Sequence, residues 1–168
     1  PLPDALVQHM HMQPMVDALG MEHISHSGTF MVDPAYRGLT IASQLVMHMV
    51  QLGFELDTLV DVCVAELALV KPYYQLGYRP YAAPFRPHEH AGLRVPLVWT
   101  ARDRGYLKEV NSPFAYLISG DLDDKGLTAR ELSTCYPEFS NPRVSPRRLR
   151  EFWSSFAHSS PAYRAPSV

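Results

Sequence analysis

Apolar and polar positions repeat with two different periods along this chain, and the period changes at prolines and glycines. Between His23 and Val32, Ile24, Phe30 and Val32 fall at even positions among small polar residues, which predicts a strand over 28–32. Asp33-Pro34 closes it, because proline removes a ladder donor. Ile41, Leu45, His48, Met49 and Leu52 then recur at steps of three and four, predicting a helix stopped by Gly53. Residues 59–64 form a continuous apolar run broken only by Asp61, short enough to be a strand covered on both faces. Residues 65–76 read as a helix ended by Gly77, with Pro72 an offence in its interior. Residues 93–100 predict a third strand, whose Pro96 suggests an edge position or a bulge.

The pattern is weaker elsewhere. Residues 14–19 are helical in character before Gly20, 103–110 read as a short helix, and Asn111-Ser112-Pro113 is a turn signal. Beyond it we expect a strand over 114–119, a helix over 128–135, and a last helix from Ser145-Pro146 to about Ala157. Strands alternating with helices make the fold class α/β, or α+β: a mixed sheet flanked by helices.

Composition narrows this picture. Fifteen prolines in 168 residues, where about eight are usual, argue against a helical bundle. Fifteen Lys and Arg against 17 Asp and Glu leave a net charge of −2, which recommends neither nucleic acid nor an anionic membrane as partner. No apolar stretch approaches the ~18 residues of a membrane span. Cys63 and Cys135 are too few for a disulfide framework and read as free thiols of a reducing cytoplasm. The chain opens on Pro1 with no leader-like series, so a fragment or processed form is expected.

The segment that carries chemistry is Val32-Asp33-Pro34-Ala35-Tyr36-Arg37-Gly38-Leu39-Thr40-Ile41-Ala42. A strand end followed by Arg, small residues and a helix start presents backbone N–H groups and the positive helix pole to an anion. Gly38 and Ala42 admit a ligand close to the backbone, Thr40 adds a hydroxyl, and Arg37 adds a charge-assisted contact. The stretch resembles the acyl-CoA binding motif of the GNAT superfamily of N-acetyltransferases. Arg37, Ile41 and Ala42 match that motif, and Thr40 stands where the family usually has Gly. In order after it, Lys71-Pro72-Tyr73-Tyr74-Gln75-Leu76-Gly77-Tyr78 resembles the ending of the family's last helix. The resemblance implies that Tyr73 protonates the departing thiolate, a role a phenol beside a thioester sulfur fits chemically.

A narrower likeness runs over about residues 23 to 113. Together with those two motifs, Gly92-Leu93-Arg94-Val95-Pro96-Leu97-Val98, Asp103, Tyr106-Leu107 and Val110-Asn111-Ser112-Pro113 are similar to the N-acyl amino acid synthases, relatives of acyl-homoserine lactone synthases. What this implies is an N-acyltransferase moving an acyl group from acyl carrier protein phosphopantetheine or acyl-CoA to a small amine or amino acid. Backbone groups at Phe30, Met31 and Val32 would polarise the carbonyl, and 37–42 (Arg37, Gly38, Leu39, Thr40, Ile41, Ala42) would hold the diphosphate. The superfamily often sets its base on this strand, which makes Glu22 and His23, with His26 beside them, candidates for the amine proton; plain surface residues are the competing reading. Only residues 1–31 precede the motif, where the family has three strands and two helices. We therefore expect 1–113 to be the C-terminal portion of an acyltransferase domain and 114–168 a helical extension. A fragment, a second chain supplying the rest, or replacement by 114–168 all remain open, and an unpaired sheet edge leaves an oligomer open as well.

Alternative readings stand beside these: an acetyl-CoA-dependent N-acetyltransferase, or a non-catalytic acyltransferase-like binding module. None of the eight histidines has a zinc-like spacing, so no metal is expected. Arg143, Arg147, Arg148 and Arg150 are a solvated face or a docking site for an acidic carrier protein. Met47, Met49, Leu52 and Phe54 are core or the wall of an acyl channel.

Overall fold

The computed structural model describes residues 4–28, 31–36, 41–86, 92–118 and 127–136. In chain order these form α1 (Asp4–His9), α2 (Gln13–Leu19), β1 (Ile24–His26), α3 (Ile41–Glu55), β2 (Val60–Glu66), α4 (Val70–Leu76), β3 (Arg79–Pro80), β4 (Arg94–Thr100), α5 (Arg104–Glu109) and α6 (Leu127–Cys135). The sheet runs β1-β2-β4-β3. β1 lies parallel to β2, and β2–β4 and β4–β3 are antiparallel. The architecture is therefore the expected mixed sheet flanked by helices.

β2 sorts its side chains by parity, as a strand must. Val60 and Val62 enter one core with Met10, Met12 and Met15 from the N-terminal segment and Leu132 from α6. Cys63 and Ala65 enter the other with Leu97, Trp99, Leu107 and Phe114. Two tyrosines bind the first core together. Tyr81 donates to the Met10 carbonyl at 2.7 Å and Tyr136 to the His11 carbonyl at 2.8 Å, while the rings meet edge to face at 5.0 Å. At the sheet edge Arg79, set opposite Val98, pairs with Asp103 at 2.9 Å, donates to Thr100 Oγ1 at 2.7 Å and lies 4.0 Å above the Tyr106 ring. Asp103 also caps α5 by accepting the Tyr106 N–H. That buried charge is neutralised within the protein.

Several expectations change. The first strand sits at 24–26, not over 28–32; of that span Gly28, Met31 and Val32 are described and lie outside any strand, while Thr29 and Phe30 fall outside the described residues. Its polar face misled the pattern, because Ser25 and Ser27 turn inward to a carboxylate. β2 runs on to Glu66, and the helix after it starts only at Val70, so Pro72 stands in the first turn where helical N–H groups have no intrahelical acceptor. Gly53 lies inside α3, which ends instead near Asp57, a non-glycine residue at φ 53°. Pro96 is in a central strand: its carbonyl accepts from Tyr81, so its ring nitrogen faces short β3 and leaves the β2 ladder whole. Residues 114–119 do not form a strand where described. Phe114 and Ile118 are both buried while Tyr116 is 69% exposed, the spacing of the turn Pro113–Tyr116 rather than of alternation. The expected helix from Ser145 and the arginine run lie outside the described residues.

Gly77 ends α4 at φ 105°, and a Cβ there would come within 2.3 Å of Leu107 Cδ2. Gly77→Ala should cost about 1–3 kcal/mol and lower the urea midpoint. Gly92→Ala, with nothing within 4 Å of the added methyl, should stay within about 0.5 kcal/mol of the parent.

Candidate functional site

The second face of the sheet carries a carboxylate where an apolar residue is usual. Asp61 is 8% exposed and sits opposite Trp99 of β4. Three neutral hydroxyls converge on it. Ser25 of β1 and Ser27 just after it donate to Oδ1 at 2.6 and 3.0 Å, and Tyr78, just after α4, donates to Oδ2 at 2.6 Å. Each donor is set by local structure: the two serines are two apart on an extended segment, and Tyr78 follows the left-handed turn at Gly77.

Burial drives the Asp61 carboxyl above its ordinary range, opposed by the bonds from Ser25, Tyr78 and Ser27 and by the charge of nearby His26. Tyr78 is pushed well up, by burial first and then by the Asp61 charge. Burial also raises the Cys63 thiol, so Cys63 is an inert neutral group here.

This polar floor opens into a cleft of about 200 Å³ between α3 and the sheet. Val46, Met49, Val50 and Leu52 of α3, Leu56 and Trp99 supply apolar wall, and Ser25, His26, Ser27, Thr58, Asp61 and Tyr78 the polar part. Met49 and Leu52 thus border a cavity, whereas Met47 and Phe54 pack on the second core, Phe54 edge to face with Trp99 at 6.1 Å.

Tyr73 stands beside this group. Its ring meets Tyr78 edge to face at 5.4 Å, and burial, then the Asp61 charge, raise its pKa, so it is a neutral phenol and a donor. Glu22 and His23 lie in the turn Met21–His23 before β1. His23 Nδ1 is 3.1 Å from the Asp57 carbonyl, and Asp57 also pairs with Arg102. That cluster holds the chain after α3, and no described contact joins it to Tyr73. Met31 is 77% exposed, Val32 half-buried, and Ile41 and Ala42 open α3. Phe30, Arg37, Gly38, Leu39 and Thr40 lie outside the described residues. Sequence reading did not single out Asp61, Ser25, Ser27 or Tyr78 as a group; the lone acid within the apolar run 59–64 was the available signal.

No family model and no curated protein matches the chain. Among solved structures it is similar to the crystal structure of a "putative N-acetyltransferase from Lactobacillus plantarum", at 21% identity and a TM-score of 0.44. The overlay covers 48% of this chain and 54% of that one, about half of each.

The raised carboxyl gives a pH signature with a definite sign. Between the unfolded carboxylate value near 3.9 and the higher folded value of Asp61, the native state binds more protons than the unfolded state, so this group's contribution to stability falls as pH rises. Denaturation of wild type and Asp61→Asn across a pH series should show wild type losing ground from about pH 4 upward, then a constant gap. Parallel curves, or a gap of the opposite slope, would exclude an elevated Asp61.

Proposed function

We propose that the chain is an N-acyltransferase of GNAT type, taking an acyl group from a thioester of coenzyme A or of acyl carrier protein and passing it to an amine. Its finer form is a long-chain N-acyl amino acid synthase. The amine nitrogen attacks the thioester carbonyl, the C–N bond forms, the C–S bond breaks, and the thiolate leaves as thiol with a proton from the Tyr73 phenol. The amine proton goes to a base, for which Glu22 and His23 are the candidates the sequence offers.

One observation carries the reading: Tyr73, from the second sequence motif, is a neutral half-buried phenol beside a cleft with a polar floor. A second feature agrees with it. β1 and β2 pair only as far as Ser27 N–H to the Val62 carbonyl, while β2 continues to Glu66, so the parallel strands share only the first half of β2 within the described residues. An extended thioester arm suits the flank of such a strand. The segment 37–40, with α3 behind it from Ile41, would take the donor's phosphates.

Release of free thiol, followed with a thiol reagent, tests this. Acyl-CoA and acyl carrier protein donors of short and long chain are offered with amino acids, and long-chain donors should give the faster release. Tyr73→Phe should lower kcat by about 10²-fold or more. A folded sample silent with every donor refutes catalysis, and coenzyme A binding without turnover identifies a non-catalytic acyltransferase-like module.

A further inference from the structure

We propose that the cleft between α3 and the sheet binds a primary ammonium carried on a small apolar body, with the Asp61 carboxylate as its counter-ion. That this ligand is the acyl acceptor rests on the acyl-transfer reading; the binding itself does not.

Charge is the first argument. The donors to Asp61, Ser25, Ser27 and Tyr78, are all neutral. The ion pairs among the described residues lie elsewhere, at Asp57, Asp103 and Glu66. His26, on β1, lines the same cleft and forms no ion pair with Asp61. Tyr78, Tyr73 and Cys63 are the other titratable groups on this face, and none of them brings positive charge. Burying a carboxylate with only neutral donors is costly, and the deficit is what a bound cation repairs.

Geometry says which cation. Two carboxylate oxygens accept about four hydrogen bonds. Oδ1 has two and Oδ2 only one, leaving Oδ2 an acceptor direction for an ammonium proton. A metal ion needs further ligands, and the described residues gather no group of three His, Cys, Asp or Glu.

The walls set the body. α3 has fifteen residues and buries none of them, and Leu45, Met49 and Leu52 are 45%, 43% and 53% exposed. The helix touches the second core through Met47 and Phe54 and leaves beside them the cleft of about 200 Å³. At roughly 30 Å³ per water that is space for about seven waters, the scale of a phenylethyl or short alkyl group. Tyr78 donates to Asp61 and touches Tyr73, so the nitrogen would sit one ring away from the phenol assigned to the leaving thiol.

Calorimetric titration of the full chain at pH 7 with 2-phenylethylamine, 2-phenylethanol and 3-phenylpropionate tests the site. The amine should bind about ten- to a hundredfold tighter than the alcohol, and the propionate weakest. Asp61→Asn should erase the preference for amine over alcohol. Met49→Trp, which fills the cleft and leaves its floor intact, should abolish binding of all three, and serves if Asp61→Asn does not fold. Equal affinities for amine and alcohol, no saturable amine binding, or a preference unchanged by either variant overturns the proposal. Amine binding with no thiol released from any thioester supports the site and removes the acyl-transfer reading. Thiol release to an amino acid with no amine binding keeps that reading and removes the site.

Discussion

A carboxylate on the second strand of this sheet, shut away from water, constrains much of what surrounds it. Asp61 needs donors from both sides, and it draws them from β1 and from the turn after α4. The parallel pairing of β1 with β2 is only three residues long, too short to fix its own register through backbone bonds alone. The serines supply the missing specification. A slip of one residue would carry Ser25 and Ser27 to the opposite face, put His26 inside, and strip Asp61 of two donors at once. The same demand reaches Gly77, whose left-handed conformation sets the chain direction that brings Tyr78 over β2.

Two buried acids therefore stand in contrast in this fold. Asp103 is completed by the chain: one oxygen takes the Arg79 guanidinium, the other caps α5, and the Tyr106 ring lies under the cation. That set is architectural, tying the edge strand β3 and the end of β4 to the helix that follows. Asp61 receives hydroxyls and no guanidinium or ammonium among the described residues, and it faces a cleft. Hydroxyls soften the cost of burying charge without cancelling it, which is why burial still prevails in its titration.

Where the hydrophobic pattern coincided with burial, the fold was readable. The run 59–64 became β2; the steps of three and four from Ile41 became α3 by periodicity alone, since that helix buries none of its residues. Legibility failed where an inward face is polar, as at Ser25 and Ser27, or where a proline's missing donor is harmless. Pro72 and Pro96 both look disruptive in sequence, yet one stands in a helix's first turn and the other turns its nitrogen away from the long ladder. Tyr73 was singled out by motif, and its setting beside Tyr78 adds geometry to that. The Asp61 group was invisible because its members, at 25, 27, 61 and 78, are assembled by a parallel crossover and a turn, and no spacing along the chain marks that.

Helix α3 shows how the same sequence serves two demands. Its apolar stripe is regular enough to form a helix, yet it is shared: Met47 and Phe54 pack on the second core, while Met49 and Leu52 border the cleft. What holds it is concentrated near its C-terminal end, where Thr58 bonds back to the Gly53 carbonyl and Asp57 meets His23 and Arg102. A helix anchored there, with little buried apolar area, sits at the low-stability end of the molecule's local opening equilibria. Its body can shift over the cleft at small cost, while the Asp61 floor beneath is fixed by three hydrogen bonds and two strands. Adaptable apolar walls over a rigid charged floor discriminate by charge first and by shape second, which suits a pocket that selects one functional group on varied small bodies.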